Sequence, residues 1–127
     1  MSTDIKADAL LELEILASWV SQSAEMKEGK GKKNLLECVD KAREAKARPL
    51  LEKLGYATIR GHFALLLRIC GKASIEKPEN DDRTLLFFPL SGNVQVAGEI
   101  LKPGNYIQLT KTLDLDAQLD CLIVVLP

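Results

Sequence analysis

The chain has 127 residues, of which 46% are hydrophobic and 28% charged, and its formal net charge is −1. These values fit a single globular domain, residues 1–127, with a sizeable core. No apolar run approaches the ~20 residues of a membrane-spanning helix, and no signal peptide is visible. Three cysteines without a CxxC pair indicate reduced thiols in a cytoplasmic protein.

The first part of the chain, residues 1–55, is predicted to be helical, and residues 56–127 are predicted to be rich in β-strands. Ser2, Thr3 or Asp4 can cap a first helix that runs to about Glu28, because short polar side chains accept hydrogen bonds from exposed N–H groups there. Residues 1–26 are acidic and residues 27–53 are basic, so the two segments are expected to pack side by side.

This first helix carries two apolar stripes. The broad stripe faces the core, and a second, narrower one is formed by Leu11, Ile15 and Trp19 at a spacing of four residues. A surface helix of a monomer needs only one such stripe. The second stripe therefore predicts either a helix wedged between layers of the same chain or a homo-oligomer contact.

The basic segment predicts a loop over residues 28–33 and then a second helix. Asn34 followed by Glu37 resembles a capping box, which places the start of this helix at Asn34. Pro49 disfavours a helical conformation in the residue before it and is expected to begin a third, short helix, Pro49–Leu54, which Gly55 ends.

The basic side chains of this segment suggest one alternative function. A nucleic-acid-associated regulator requires them on one exposed face, with strongly salt-dependent binding. Because acidic residues are interleaved with them, a solvated helix surface is the preferred interpretation, and nucleic acid is not an expected partner. The side chains concerned are Lys30, Lys32, Lys33, Arg43 and Lys46.

Residues 61–70 alternate in a way that favours a strand, although a buried helix ended by Gly71 remains open. Gly61 suits a β-bulge at the start of this strand, and residues 56–59 are expected to be extended before it. Residues 72–83 predict a polar, hydrated loop, since the spacing of its carboxylates does not match a calcium-binding loop.

Residues 83–127 predict a run of short strands. Between Leu113 and Cys121 apolar and polar residues alternate strictly, which places Asp114, Asp116 and Asp120 on a solvent face. The residues after Cys121 are all apolar, so the last strand is expected to be covered on both faces. A type II turn is predicted at residues 102–105, which read Lys-Pro-Gly-Asn.

The motif GNVQVAGEILKPGNYIQL, with the tail LDLDAQLDCLIVVLP, resembles the second half of a cupin-like, double-stranded β-helix subunit over residues 84–127. Gly92, Gly98, Leu101, Pro103 and Gly104 match the turn rhythm of that family. The resemblance implies a β-barrel. It does not extend to the histidine cluster that holds the metal in metal-dependent cupins, because the chain has one histidine.

Few residues are candidates for a site. His62 is the single imidazole, and Asp114 and Asp116 share a strand face that can line a cup; these three are the candidate ligand-binding residues. No catalytic residue, metal site or cofactor is predicted, because His62 alone cannot supply the three or four ligands of a stable site.

The sequence therefore predicts an α+β protein whose N-terminal helices pack on a compact, cupin-like antiparallel β-barrel or sandwich. The expected function is a small cytoplasmic, non-enzymatic binding or assembly module. It is expected to be homo-oligomeric and to bind a protein partner or a small molecule. The alternative is a metal-independent cupin-type isomerase or lyase acting on a small polar substrate, with His62 or a tail aspartate as base. That enzyme requires a polar pocket containing His62.

Overall fold

A computed structural model describes residues 2–29, 31–96 and 98–127. Its two helices are α1 (Ala7–Gln22) and α2 (Arg43–Leu54). Its strands, in chain order, are β1 (Thr3–Asp4), β2 (Met26–Glu28), β3 (Leu35–Cys38), β4 (Phe63–Ile75), β5 (Thr84–Pro89), β6 (Val94–Val96), β7 (Glu99–Leu101), β8 (Asn105–Leu109) and β9 (Leu113–Leu126).

Seven of these strands form one antiparallel sheet in the order β1-β8-β5-β9-β4-β3-β2, and β6 and β7 form a separate hairpin. The α+β class predicted from the sequence is confirmed. The barrel is not confirmed, because the described strands form an open sheet with β1 and β2 at its two edges.

The centre of the sheet is the long ladder between β4 and β9, which pairs Phe63 with Val125 at one end and Ile75 with Leu113 at the other. The strand preferred for residues 61–70 is thus confirmed over the helix. The five strands expected in residues 83–127 all form, and Cys121–Val125 is buried on both faces as predicted. The type II turn is supported by a hydrogen bond from Asn105 N to Lys102 O and by the φ of 107° at Gly104.

The two faces of the sheet are covered by different elements. Helices α1 and α2 cover one face, where Leu13, Leu16, Leu50, Phe88 and Leu122 are buried together. The β6–β7 hairpin packs on part of the other face, and its residues join a cluster contributed mainly by β4, β5 and β9. Side chains alternate along each strand, so β9 supplies both clusters from one stretch of sequence.

The first helix is shorter than predicted. It runs from Ala7 to Gln22. The N-cap residue Lys6 makes no side-chain capping bond, and the C-cap residue Ser23 donates its N–H to Trp19 O. The residues expected to cap it, Thr3 and Asp4, instead pair with β8. Its expected last turn, Met26–Glu28, pairs with β3. The pairing satisfies backbone groups that propensity alone assigns to a helix.

The second helix was also misplaced. The apparent capping box is wrong, because Leu35–Cys38 is a strand between β2 and β4. Asn34 has a φ of 60° and donates from Nδ2 to Lys72 O on β4. Helix α2 begins after Asp40, whose carboxylate accepts from Ala42 N at 2.9 Å and from Glu25 N at 3.1 Å.

Helix α2 passes through Pro49 without a break and ends at Gly55, which has a φ of 84°. The expected separate helix starting at Pro49 is therefore wrong, whereas its end at Gly55 is right. Residues 56–62 form turns rather than an extended segment, and Gly61 lies in a turn before β4 rather than in a bulge. The polar loop covers residues 76–83, because 72–75 belong to β4.

Candidate binding clefts

Strand β4 curves strongly, so that residues far apart along it line one cleft. Leu67 and Ile75 both border this space, although a straight strand between them would span about 26 Å. Gly71 lies midway between Leu67 and Ile75 and has a φ of 139°, a backbone angle that residues with a Cβ rarely adopt. A Cβ at Gly71 would also lie 3.2 Å from Asn34 Nδ2. The far end of the β4–β9 ladder therefore borders the same cleft as its middle.

We call this space the apolar cleft. Its volume is about 450 Å³, and it lies on the sheet face opposite the helices. Four neighbouring strands supply its apolar floor, which consists of Leu35, Leu65, Leu67, Leu85, Ile123 and Val125. Clefts of this size with mostly apolar walls are typical of small-molecule sites.

Charged side chains surround the mouth of the apolar cleft. Lys32, in the loop between β2 and β3, lies 3.7 Å from Glu76, which directly follows β4. Both side chains are well exposed, so the pair contributes little stability. It does join the two loops that border the cleft.

A tighter ion pair lies at the other side of the mouth. Arg83 Nη2 donates to Asp81 Oδ2 at 2.7 Å, and Arg83 N donates to Asp81 Oδ1 at 2.9 Å. These hydrogen bonds from Arg83 hold the pKa of Asp81 well below its usual value. The guanidinium of Arg83 also lies 5.7 Å from the ring centroid of Phe63, which is 42% exposed. Asp81, Arg83 and Phe63 thus form one side of the entrance.

His62 lies elsewhere, in a second depression that we call the helix-side cleft. This cleft has a volume of about 760 Å³ and separates α2 from the start of β4. His62 Nδ1 donates to Ile59 O at 2.7 Å. Polar side chains, among them Arg43, Arg48 and Glu52, share the cleft. A polar pocket containing His62 is what the enzyme alternative requires.

Asp114 and Asp116 border a third depression of about 590 Å³, together with Lys32, Lys33 and Lys72. Asp114 accepts a hydrogen bond from Ser74 Oγ at 2.5 Å, and Asp116 lies opposite Lys72 on the ladder. His62 immediately precedes the first residue of β4, whereas Asp114 pairs near its last residue. The three residues predicted to bind a ligand therefore do not form one site.

The predicted interface stripe lies on the outer face of α1. Leu11 is 60% exposed and Ile15 is 55% exposed, so neither is covered within the chain. Trp19 is partly buried against the helix core, and Lys46 Nζ lies 5.9 Å from its ring centroid. The alternative in which the second stripe is internal therefore applies to Trp19 and not to Leu11 or Ile15.

Three of the basic side chains considered for nucleic-acid binding make contacts within the chain. Lys32 pairs with Glu76, Arg43 Nη1 donates to Asp40 O at 2.9 Å, and Lys46 lies over Trp19. Lys33 is exposed, and Lys30 lies outside the described residues. These contacts do not favour the regulator alternative.

The sequence did not predict the pairing of Arg68 with Asp120. Asp120 was expected in solvent with Asp114 and Asp116, but it is 6% exposed. Arg68 lies directly opposite it on β4 and donates from Nε to Asp120 Oδ1 at 2.7 Å. This carboxylate raises the pKa of Arg68. The alternation prediction thus holds for the outer three polar positions of β9 and fails at Asp120, where α1 covers the same face.

The cysteines are free thiols, and burial raises the pKa of Cys38 and of Cys121. Over residues 2–29, 31–96 and 98–127, no three His, Cys, Asp or Glu side chains are grouped closely enough to hold a metal ion. In the same part of the chain, no helix has the length and apolar character needed to cross a membrane.

The entrance residues Phe63, Asp81 and Arg83 were not singled out from sequence. The pair Asp81 and Arg83 is separated by one residue in a polar loop, and such spacing is common in solvated turns. Comparisons of the chain with protein-family models and with curated proteins find no match.

Proposed function

We propose that the protein is a small, non-enzymatic binding module that takes an apolar group of its ligand into the apolar cleft. The observation that carries this proposal is the combination of six aliphatic floor residues with a charged entrance in a volume of about 450 Å³. Burial of apolar surface supplies the affinity, at about 25 cal/mol per Å². The few polar groups at the rim orient the ligand.

The charged pairs at the rim of the apolar cleft indicate the chemistry of the polar end of the ligand. Arg83 is already paired with Asp81, and Lys32 with Glu76, so neither of these two pairs presents an uncompensated charge to a ligand. A polar but uncharged end of the ligand can exchange hydrogen bonds with these groups without separating either pair. The ligand class is therefore an apolar body with a neutral polar end, on a small molecule or on a segment of a protein partner.

The proposal is tested with the fluorescent dye N-phenyl-1-naphthylamine, which is uncharged and binds apolar clefts. The dye is titrated into the wild-type protein and into a Phe63→Ser variant. Phe63 is half exposed at the entrance, so its loss leaves the floor intact and removes apolar contact with the dye. The expected result is saturable binding that is about tenfold weaker in the variant.

The matched control is Ile15→Ser, which removes another exposed apolar side chain, this one from α1. It is expected to leave dye affinity unchanged. Equal affinities of the wild type and Phe63→Ser, with weaker binding by Ile15→Ser, would place dye binding on the helix and contradict the proposal.

A second function, self-association, is favoured by the exposure of Leu11 and Ile15. Two large aliphatic side chains at a spacing of four residues form one ridge along α1, and a second copy can cover them symmetrically. Monomeric proteins do carry single exposed apolar residues. The proposal of a homo-oligomer therefore depends on the ridge rather than on either residue alone.

The cupin-like resemblance and the cytoplasmic location remain proposals, and the enzyme remains the alternative to the binding module. The cupin-like resemblance of residues 84–127 is supported by the positions of the strands and the turn. A cytoplasmic location is supported by the three free thiols. The isomerase or lyase alternative is supported by the polar side chains that surround His62 in the helix-side cleft.

A further inference from the structure

Strand β3 is much shorter than β4, and this leaves part of β4 beyond the β3–β4 ladder. The register between the two strands covers Leu67, Arg68 and Ile69 and ends at the pair Glu37–Leu67. On its opposite side, β4 pairs with β9 from its first residue, Phe63. Residues 63–66 therefore have ladder partners in β9 but no registered partner in β3.

The direction of the backbone groups in this segment follows from the alternation of an antiparallel strand. Cys70 N donates to Asn34 O, on the side of β4 where β3 lies. The β4–β9 register runs without a bulge over its whole length, so every second residue points its N–H and C=O to that same side. Ala64 is one of these residues. Its N–H and C=O face the direction in which β3 would continue.

Both faces of the sheet are indented at this point. The apolar cleft lies on one face and the helix-side cleft on the other, and both are bordered by Glu37, Phe63 and Leu65. Leu65 is only partly buried. The two clefts thus meet around the edge of β4 where the β3 ladder stops.

We propose that this edge receives an extended peptide segment of a partner protein, which adds to the sheet beside residues 63–66. The inference rests on the proposed function, because the apolar cleft would hold every second side chain of the peptide. Main-chain hydrogen bonds to a strand edge supply affinity, and alternate side chains supply specificity. The peptide takes the place that β3 leaves vacant.

The two clefts define the sequence of such a peptide. Side chains directed into the apolar cleft meet Leu35, Leu67 and Val125 and are therefore aliphatic or aromatic. Side chains on the opposite face meet α2, where Arg43, Arg48, Glu44 and Glu52 border the helix-side cleft. Those side chains are charged or polar, so the segment alternates between apolar and polar residues.

The test begins with a random-sequence peptide library displayed on phage and selected on the full-length protein. The selected peptides are expected to carry apolar residues at every second position. One of them, as a synthetic peptide, is then added to isotope-labelled protein, and exchange of the Ala64 amide proton is followed by NMR. The expected result is slower exchange of this amide by about tenfold or more on binding.

The variant Ala64→Pro removes the N–H that the peptide would use, at a strand-edge position where proline is tolerated. It is expected to weaken peptide binding by about tenfold, while Ala64→Ser, which keeps the N–H, binds like the wild type. If Ala64→Pro does not fold, the inference is tested by exchange of the Ala64 amide proton in the wild-type protein alone.

Three results would overturn the inference. They are the absence of any selected peptide, selected peptides without alternation, and unchanged exchange at Ala64 on binding. Protection of Ala64 that grows with protein concentration and without peptide would assign the edge to a second copy of the chain. Saturable, Phe63-dependent dye binding combined with any of these results would leave the proposed function standing.

Discussion

Arg68 and Asp120 face each other across the central ladder, and the carboxylate of Asp120 is the one buried charged group among the residues described. Arg68 Nη2 also donates to Val20 O at 3.0 Å, which is in the last turns of α1. Asp120 O accepts from Leu90 N at 2.8 Å. The pair therefore joins the two longest strands to the helix and to the segment after β5.

This pair predicts a specific mutational pattern. Arg68→Leu leaves the Asp120 carboxylate buried without its partner and is expected to lower the free energy of unfolding by about 2–4 kcal/mol. The double variant Arg68→Leu with Asp120→Leu removes both charges and is expected to recover most of that loss. Urea denaturation followed by circular dichroism measures both effects.

The neighbouring exposed pair on the same ladder supplies the control. Lys72 lies opposite Asp116, and Lys72→Leu is expected to change the free energy of unfolding by no more than about 0.5 kcal/mol. A double variant that is less stable than Arg68→Leu would show that the pair does not act as a unit.

The exposed ridge of α1 predicts an oligomer that can be separated without loss of the fold. Leu11→Glu combined with Ile15→Glu replaces side chains that contact solvent in a single chain, so the helix is expected to stay intact. Light scattering over a dilution series is expected to give a dimer or larger species for the wild type and a monomer for the variant.

Glu14, which is also exposed on α1, provides the matched control, and Glu14→Lys is expected to keep the oligomer. A wild-type protein that is monomeric at every concentration would refute self-association through this ridge. An oligomeric double variant would show that the contact lies elsewhere.

The Asp81–Arg83 pair predicts a pH dependence at the entrance of the apolar cleft. Because the hydrogen bonds from Arg83 lower the pKa of Asp81 in the folded protein, their stabilising effect is complete above the ordinary carboxyl pKa of about 4. This stabilising effect is lost progressively as pH falls from that value through the lowered pKa of Asp81 in the folded protein. The NMR shift of the Arg83 amide, which donates to Asp81, is expected to stay constant down to about pH 4 and to change below it.

Asp81→Asn is expected to abolish this change, because the amide does not titrate in that range. A midpoint at the ordinary carboxyl value for the wild-type Arg83 amide would contradict the observed pairing.

Replacement of Pro49 by alanine is expected to stabilise the folded protein. Pro49 lies inside α2, where it is exposed and cannot donate a hydrogen bond to the carbonyl of Ala45. Pro49→Ala is expected to raise the free energy of unfolding by about 1–3 kcal/mol. Thermal or urea denaturation measures the gain, and Lys53→Ala, an exposed change on the same helix, serves as its control. A loss of stability would indicate that α2 needs the geometry that proline imposes.

The sequence was most informative where local patterns decide the structure. The strand over residues 113–121 and the turn at residues 102–105 depend on neighbours in the chain, and both were predicted correctly, whereas the solvent position expected for Asp120 was wrong. Strands β2 and β3 were missed because each has only three or four residues. Their extended conformation is stabilised by pairing with each other and with β4.

The candidate site could not be predicted from the sequence, because contacts between residues far apart in the chain form it. Asp120 differs from Asp114 and Asp116 only because Arg68, 52 residues away, and α1 approach it in space. The apolar cleft depends on the curvature of β4 at Gly71, and no local pattern fixes which distant residues such a bend brings together. The second stripe of α1 was predicted as one surface, whereas Leu11 and Ile15 are exposed and Trp19 is partly covered within the chain.

The most direct test of the central claim is NMR mapping of the uncharged dye N-phenyl-1-naphthylamine on protein with labelled Leu, Ile and Val methyl groups. The account predicts saturable shifts at Leu67, Ile123 and Val125, which form the floor of the apolar cleft, and smaller changes at Leu11 and Ile15. Shifts confined to Leu11 and Ile15, or no saturable shift at all, would contradict the proposal that the protein binds ligands in this cleft.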